Sequence, residues 1–243
     1  MKAMIFAAGL GTRLKPITDT MPKALVPVCG KPLLFHTICK LRDAGYDDIV
    51  VNVHHFPEQI RQYLQENDFG VIISISDESE QLLETGGGIL AARPMLTGDT
   101  PFLVHNVDIV SNLDLAKLQL RPGDLATLVV SPRDTRRYLL FDDDLRLVGW
   151  TDTATGEVRS PFPGLDPSAC RKYAFSGIHN ISPSVFNAMD ALGFTGRFPI
   201  MDFYLKACAR YPIRGYLAEN LKMVDVGKID TLPDAERICS TLL

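Results

Sequence analysis

Two glycines and a permanently charged guanidinium stand close behind the first apolar run of this chain, in AAGLGTRLKP (7–16). Glycines let a backbone approach a ligand closely, and the free amides of such a turn can cradle phosphate oxygens. Arg13 adds a planar fork of donors, and Lys15, Lys23 and Lys31 follow it, so the stretch has the means to hold an anion. Neither standard phosphate pattern fits. No Gly-Lys-Ser/Thr follows at P-loop spacing, and Leu14 occupies the third glycine position of GxGxxG. On its glycines alone, a tight structural turn is the simpler reading.

Three other places carry residues of chemical interest. LLETGGGI (82–89) holds three consecutive glycines, whose entropic cost implies a close approach by something. In VHNVDIV (104–110), Asp108 follows a buried run, and a carboxylate in that position is a natural seat for magnesium. Asp225 sits in the apolar stretch LKMVDVG (221–227), where an unpaired carboxylate is costly; a salt bridge or a ligand would account for it. Lys222 falls on the opposite strand face from Asp225, which makes it a weak candidate. His105 lacks a ligand-spaced partner and reads as a packed histidine. Asp114 reads as a helix cap.

These residues need elements to position them. Runs at 2–8 and 101–110 read as buried strands, 48–55 as a β-branched run and 71–78 as a third strand, alternating with helices at 33–45 and 57–68 and a further helix entered through the triple glycine. That rhythm implies a Rossmann-like, doubly wound α/β sheet, on which ligands bind at the carboxyl ends of the strands. Gly9, the 77–88 segment and Asp108 all fall at that edge. The second half changes character. Strands are expected at 124–133, 138–151 (a hairpin turning at Asp142–Asp144), 172–182 and 221–227, with helices near 183–192, 199–210 and 230–241. The expected layout is one domain over 1–243 with a mixed sheet: a nucleotide-type half (1–120) followed by a more antiparallel half (121–243).

The longer string AAGLGTRLKPITDTMPKALVPVCGKPL (7–33) resembles the signature of the sugar-1-phosphate nucleotidyltransferases, with its spacing intact. The ETGGG form resembles the compact branch that includes N-acetylmuramate-1-phosphate uridylyltransferases. The resemblance implies transfer of a nucleoside monophosphate from a nucleoside triphosphate to a sugar 1-phosphate, with Mg2+ as cofactor and pyrophosphate released. It implies that Ala8, Gly9, Gly11, Thr12 and Arg13 hold the nucleotide, and that Lys23 bridges phosphates of both substrates. Glu84, Thr85 and the backbone of Gly86 and Gly87 would recognise base and ribose. Asn106, Ser176 and Gly177 would touch the sugar, and Asp108 and Asp225 would hold the metal. Arg13, Lys23 and Asp108 are thus the expected catalytic residues.

The chain departs from the family in two places. Val107-Asp108 stands where Gly-Asp is usual, and SPFPGLDPSA (160–169) replaces a Glu-Lys-Pro stretch whose lysine grips the sugar phosphate in larger members. The sugar therefore stays open: UTP with an N-acetylated or simple hexose 1-phosphate is the first expectation. Mannose- or heptose-1-phosphate guanylyl transfer, phosphocholine cytidylyl transfer and a non-catalytic sensor of nucleotide sugars are the alternatives. Tyr138, Phe141, Trp150 and Phe175 keep a choline cage open.

Composition sets the outer limits. A formal charge of −4 over 243 residues argues against a general nucleic-acid surface. No apolar stretch reaches spanning length. Five cysteines without CxxC spacing suit a reduced, cytoplasmic protein. A monomer or small homo-oligomer is expected.

Overall fold

The computed structural model describes residues 1–241. The first half contains β1 (Lys2–Phe6), β2 (Pro27–Val28), β3 (Lys31–Pro32), α1 (Leu33–Asp43), β4 (Asp48–Val53), α2 (Pro57–Glu66) and β5 (Ile72–Asp77). It continues through α3 (Glu84–Ala91), α4 (Arg93–Leu96), β6 (Phe102–Asn106) and β7 (Ile109–Ser111). The second half contains β8 (Ala126–Ser131), β9 (Arg137–Phe141), β10 (Leu147–Asp152), β11 (Glu157–Arg159) and β12 (Arg171–Ile181). It ends with α5 (Val185–Ala191), α6 (Ile200–Ala207), β13 (Ile213–Leu217), β14 (Met223–Asp225) and α7 (Leu232–Ser240).

Ten strands form one mixed sheet in the order β11-β10-β9-β12-β6-β1-β4-β5, with β8 paired to β12 and β13 to β8. β6, β1, β4 and β5 are mutually parallel. β12 then runs antiparallel to β6, β8 and β9. The central parallel strands β1, β4 and β6 are buried along most of their length, as helices crossing over a sheet require, whereas β5 at the edge is largely half-buried. Met4 and Val50 lie in the apolar cluster on one face, Ile5 and Val51 in the cluster on the other.

Helix α1 illustrates how pattern becomes packing. Leu33, Leu34, Thr37, Ile38 and Leu41 are its buried residues, one stripe at helical spacing. Gly45 ends the helix at φ +89°, with the Tyr46 amide reaching back to Leu41 O at 3.0 Å. That is the left-handed stop glycine tolerates best.

Two expectations change. The run 101–110 is not one strand: it breaks at Val107-Asp108, and β7 leaves the main sheet to pair with β14 in a separate two-stranded ladder. Nor does the triple glycine form a turn before a helix. Gly86, Gly87 and Gly88 lie inside α3, because 196–200 packs directly against it. A Cβ on Gly87 would stand 2.3 Å from Gly196 O, and one on Gly86 2.2 Å from the Phe198 ring.

Gly87→Ala is therefore expected to lower unfolding stability by about 1–3 kcal/mol through overpacking against backbone. Gly98→Ala, which meets nothing within 4 Å, is the control. Equal denaturation midpoints for the two variants would contradict the packing account.

Candidate functional site

The first strand delivers its chain to the carboxyl edge of the sheet and stops at Phe6. There Asn52, at the end of β4, accepts through Oδ1 from the amides of Ala7 (2.7 Å) and Ala8 (3.3 Å). Asn52 Nδ2 in turn donates to Glu78 Oε1 at 2.7 Å, and Glu78 Oε2 accepts from the Leu83 amide at 2.9 Å. This buried bridge ties the glycine loop to the start of α3 across two strands. Gly11 adopts φ +63°, and a Cβ there would meet Thr18 Cγ2 at 2.9 Å. Thr18 Oγ1 donates to Gly11 O at 2.8 Å. Among the described residues, the amides of Gly9, Leu10 and Gly11 have no partner. They are open to an anion.

Lys23 and Asp108 face each other as a hydrogen-bonded ion pair, both largely buried. The ladder between β7 and β14 sets Asp225 beside this pair: Asp225 is in register with Ile109, and the Val226 amide donates to Asp108 O at 2.8 Å. Arg13 Nη2 and Asp225 Oδ1 each come within 2.8 Å of the place a Cβ would take on Gly227, so only glycine lets them converge there. Burial raises the Asp225 carboxyl above its usual range, and Asp108 raises it further; Lys23, Arg13 and Arg133 pull it back. Asp225 Oδ1 is buried without a hydrogen-bond partner. Among the described residues no three His, Cys, Asp or Glu side chains cluster as metal ligands. Two carboxylates with substrate oxygens are, however, the usual protein share of a magnesium site.

A cleft of about 560 Å3 opens over this edge, lined by residues of the glycine loop, Lys23, Asn52, Glu78, Glu84, Thr85, Asn106, Asp108 and Gly227. Ala8, Gly9, Gly11, Thr12 and Arg13 thus lie together with Lys23 and Asp108. Glu84 and Thr85 also border the cleft, but both are engaged. Glu84, at φ +62°, pairs with Arg197 at 2.8 Å, and Thr85 Oγ1 accepts from the Ile200 amide at 2.9 Å. The expected backbone role of Gly86 and Gly87 does not fit this arrangement. Their amides donate to Phe198 O at 2.9 and 3.1 Å, because the 196–200 segment is zipped onto α3.

On the far side of Asn106, Gly177 takes φ +71°, and a Cβ there would lie 2.7 Å from Asn106 Nδ2. Ser176 is buried with its hydroxyl unpartnered. Two of the four aromatic residues named for a choline cage are already engaged. Phe141 is wholly in the core, and Trp150 is covered by the Arg159 guanidinium, 5.9 Å from its ring centre. His105 and His179 are buried and held neutral, desolvation lowering them to about 4 and about 3. Asp114 caps the turn after it by accepting from the Ala116 amide, as expected.

Sequence reasoning passed over Asn52, Glu78, Arg133, Gly227 and the 194–200 segment. Asn52 and Glu78 had a signal: each is a polar residue at the carboxyl end of a parallel strand. Gly227 follows the VDV run directly. The 194–200 segment had none, since only tertiary packing brings it to α3.

A carboxyl raised on folding contributes stability at low pH that is lost as pH rises through its folded value. Asp225→Asn cannot ionise, so the ligand-free variant should melt above the unaltered protein at pH 7, the gap closing toward pH 4. Thermal melts across that range check this; a variant that melts lower at pH 7 would contradict the buried-charge reading.

Comparison with known proteins bears on the same residues. A protein-family model described as nucleotidyl transferase matches residues 2–127. N-acetylmuramate alpha-1-phosphate uridylyltransferase of Caulobacter vibrioides is 33% identical over 231 residues, covering 91% of this chain and 90% of that protein. The protein of the same name from Neisseria meningitidis is 47% identical over 115 residues, 47% of this chain and about half (49%) of its own length. Mannose-1-phosphate guanyltransferase of Neurospora crassa is 43% identical over 136 residues, 54% of this chain and 37% of that protein. Among solved structures, the inositol-1-phosphate CTP transferase of T. maritima superposes with a TM-score of 0.78 at 15% identity, covering 99% of this chain and 95% of that one. At that identity the likeness speaks for the fold. The match over nine-tenths of the chain speaks for more: the chain belongs to the nucleotidyl transferase family, within its sugar-1-phosphate branch.

Proposed function

We propose that the protein transfers the uridylyl group of UTP to an N-acetylated or simple hexose 1-phosphate, with Mg2+ as cofactor, giving a nucleotide sugar and pyrophosphate. The observation that carries this reading is the meeting of Asp108 and Asp225, one with a free buried oxygen, beside a loop of unpartnered amides. The full-length relative named as a uridylyltransferase supports the choice of base and of sugar class.

The residues account for the reaction as follows. A phosphate monoester has its second pKa near 6 and is largely dianionic at neutral pH, so it can attack without a general base. Among the described residues, no histidine lines the cleft. A sugar-phosphate oxygen forms a bond to the α-phosphorus while the bond to the bridging oxygen breaks, and the electron pair leaves with pyrophosphate. No covalent enzyme intermediate is needed. The main obstacle is repulsion between two polyanions. The loop amides and Arg13 would take charge from the triphosphate, and Lys23 would exchange Asp108 for phosphate oxygens. Asp108 and Asp225 would hold a divalent cation, which when bound supplies Lewis-acid neutralisation of the phosphates. Fixing both substrates in line supplies the orientational part of the rate.

A matrix of nucleoside triphosphates against sugar 1-phosphates, read by pyrophosphate release with Mg2+ present, tests the proposal. UTP with an N-acetylated or simple hexose 1-phosphate is expected to give the highest kcat/KM. Asp108→Asn is expected to lose about 10²–10³-fold or more in kcat, as removal of a charge-stabilising group does, while remaining folded. Full activity in Asp108→Asn would sink the carboxylate assignment. A clear preference for GTP would move the protein to the guanylyl-transfer reading.

A further inference from the structure

The order of strands places a second unpaired guanidinium across the site from Arg13. β8, β12, β6 and β1 are neighbours in that sequence. β8 and β6 both run antiparallel to β12, so they point the same way and end at one edge. Arg13 follows β1 at that edge, Asp108 follows β6, and Arg133 follows β8, two residues past Ser131. Arg133 Nη2 donates to Phe175 O at 2.9 Å, which holds the guanidinium next to Ser176 and Gly177. Gly177 in turn packs on Asn106. The Arg133 charge also reaches Asp225, as it helps to lower that carboxyl.

Other arginines of the second half are paired with carboxylates. Arg136 and Arg137 pair with Asp152, Arg159 with Asp202 and Arg171 with Asp143. Arg133 is exposed and, among the described residues, has no carboxylate partner; the Phe175 carbonyl uses one of its five donors. Among the described residues, the hydroxyls of Ser131 and Ser176 are buried without hydrogen-bond partners. The loop 160–169 contributes neither lysine nor arginine. The region therefore presents an exposed planar cation without a carboxylate partner among the described residues, a group suited to a phosphate monoester.

In-line displacement sets entering and leaving oxygens on opposite sides of the phosphorus, so each end of the reaction brings its own anion. Arg13 stands at the end served by the glycine loop. We infer that Arg133 grips the phosphate of the incoming sugar 1-phosphate at the other end, held at its post by the Phe175 carbonyl. This assignment rests on the nucleotidyl-transfer reading above. It also accounts for how the chain neutralises the acceptor without a lysine in 160–169.

Steady-state kinetics of the unaltered protein, Arg133→Ala and Arg133→Lys test it, with each substrate varied at saturating concentration of the other and Mg2+ present. Arg133→Ala is expected to raise KM for the sugar 1-phosphate by at least about tenfold, the loss of one charge-assisted hydrogen bond. KM for UTP should stay unchanged, and Arg133→Lys should recover part of the loss by restoring charge without the fork. An unchanged KM for the sugar 1-phosphate, or an equal rise in both KM values, would overturn the assignment while leaving nucleotidyl transfer standing. Failure of the unaltered protein to release pyrophosphate from any substrate pair would overturn the function and this assignment together.

Discussion

Carboxylates repel one another, and the repulsion grows as water is excluded from around them. In this protein Asp108 and Asp225 are brought together by the backbone itself, since β7 leaves the main sheet after Asp108 and pairs with β14. The rest of the edge is arranged around that encounter. Lys23 pairs with Asp108, Arg13 closes over Gly227, and Arg133 is held by the Phe175 carbonyl on the β12 side. Even so, burial first and Asp108 second keep the Asp225 carboxyl raised, and among the described residues its Oδ1 has no hydrogen-bond partner. A buried carboxylate oxygen left open beside open amides suits a site that takes a cation and a polyanion together.

Rigidity supplies the second requirement, because charge arranged loosely stabilises a transition state poorly. The Asn52–Glu78 bridge fastens the amides of Ala7 and Ala8 to Leu83, joining the glycine-loop side of the cleft to the α3 side through buried hydrogen bonds. The glycines of α3 let 196–200 sit directly on that helix, and Phe198 O and Arg197 complete the join. Glycine inside a helix costs about 1 kcal/mol relative to alanine; here it permits an approach that no other residue would allow. The same logic holds at Gly177 against Asn106 and at Gly227 against Arg13.

Local features of the sequence exposed most of this. The buried runs at β1, β4 and β5 and the stripe of α1 follow from periodicity, and the string from Ala7 to Leu33 carried the family. What stayed hidden depended on distance along the chain. The break after Asn106 was invisible because Val107 and Ile109 continue an apolar run; the partner that draws β7 away, β14, lies more than a hundred residues on. Gly86 and Gly87 looked like ligand-facing amides because nothing near them in sequence reveals that Phe198 takes both. Arg133 looked like any surface arginine, and only the strand order sets it at the same edge as Asp108. Local pattern revealed the elements, whereas non-local pairing decided which groups remain free for chemistry.

The most direct measurement of the central claim is anomalous diffraction from crystals grown with Mn2+ and a nucleoside triphosphate. The account predicts a manganese peak between the carboxylates of Asp108 and Asp225, with phosphate oxygens completing its shell and the Lys23 ammonium turned from Asp108 to phosphate. A triphosphate bound with its metal elsewhere, Lys23 still paired to Asp108 and Asp225 uncoordinated, would contradict it.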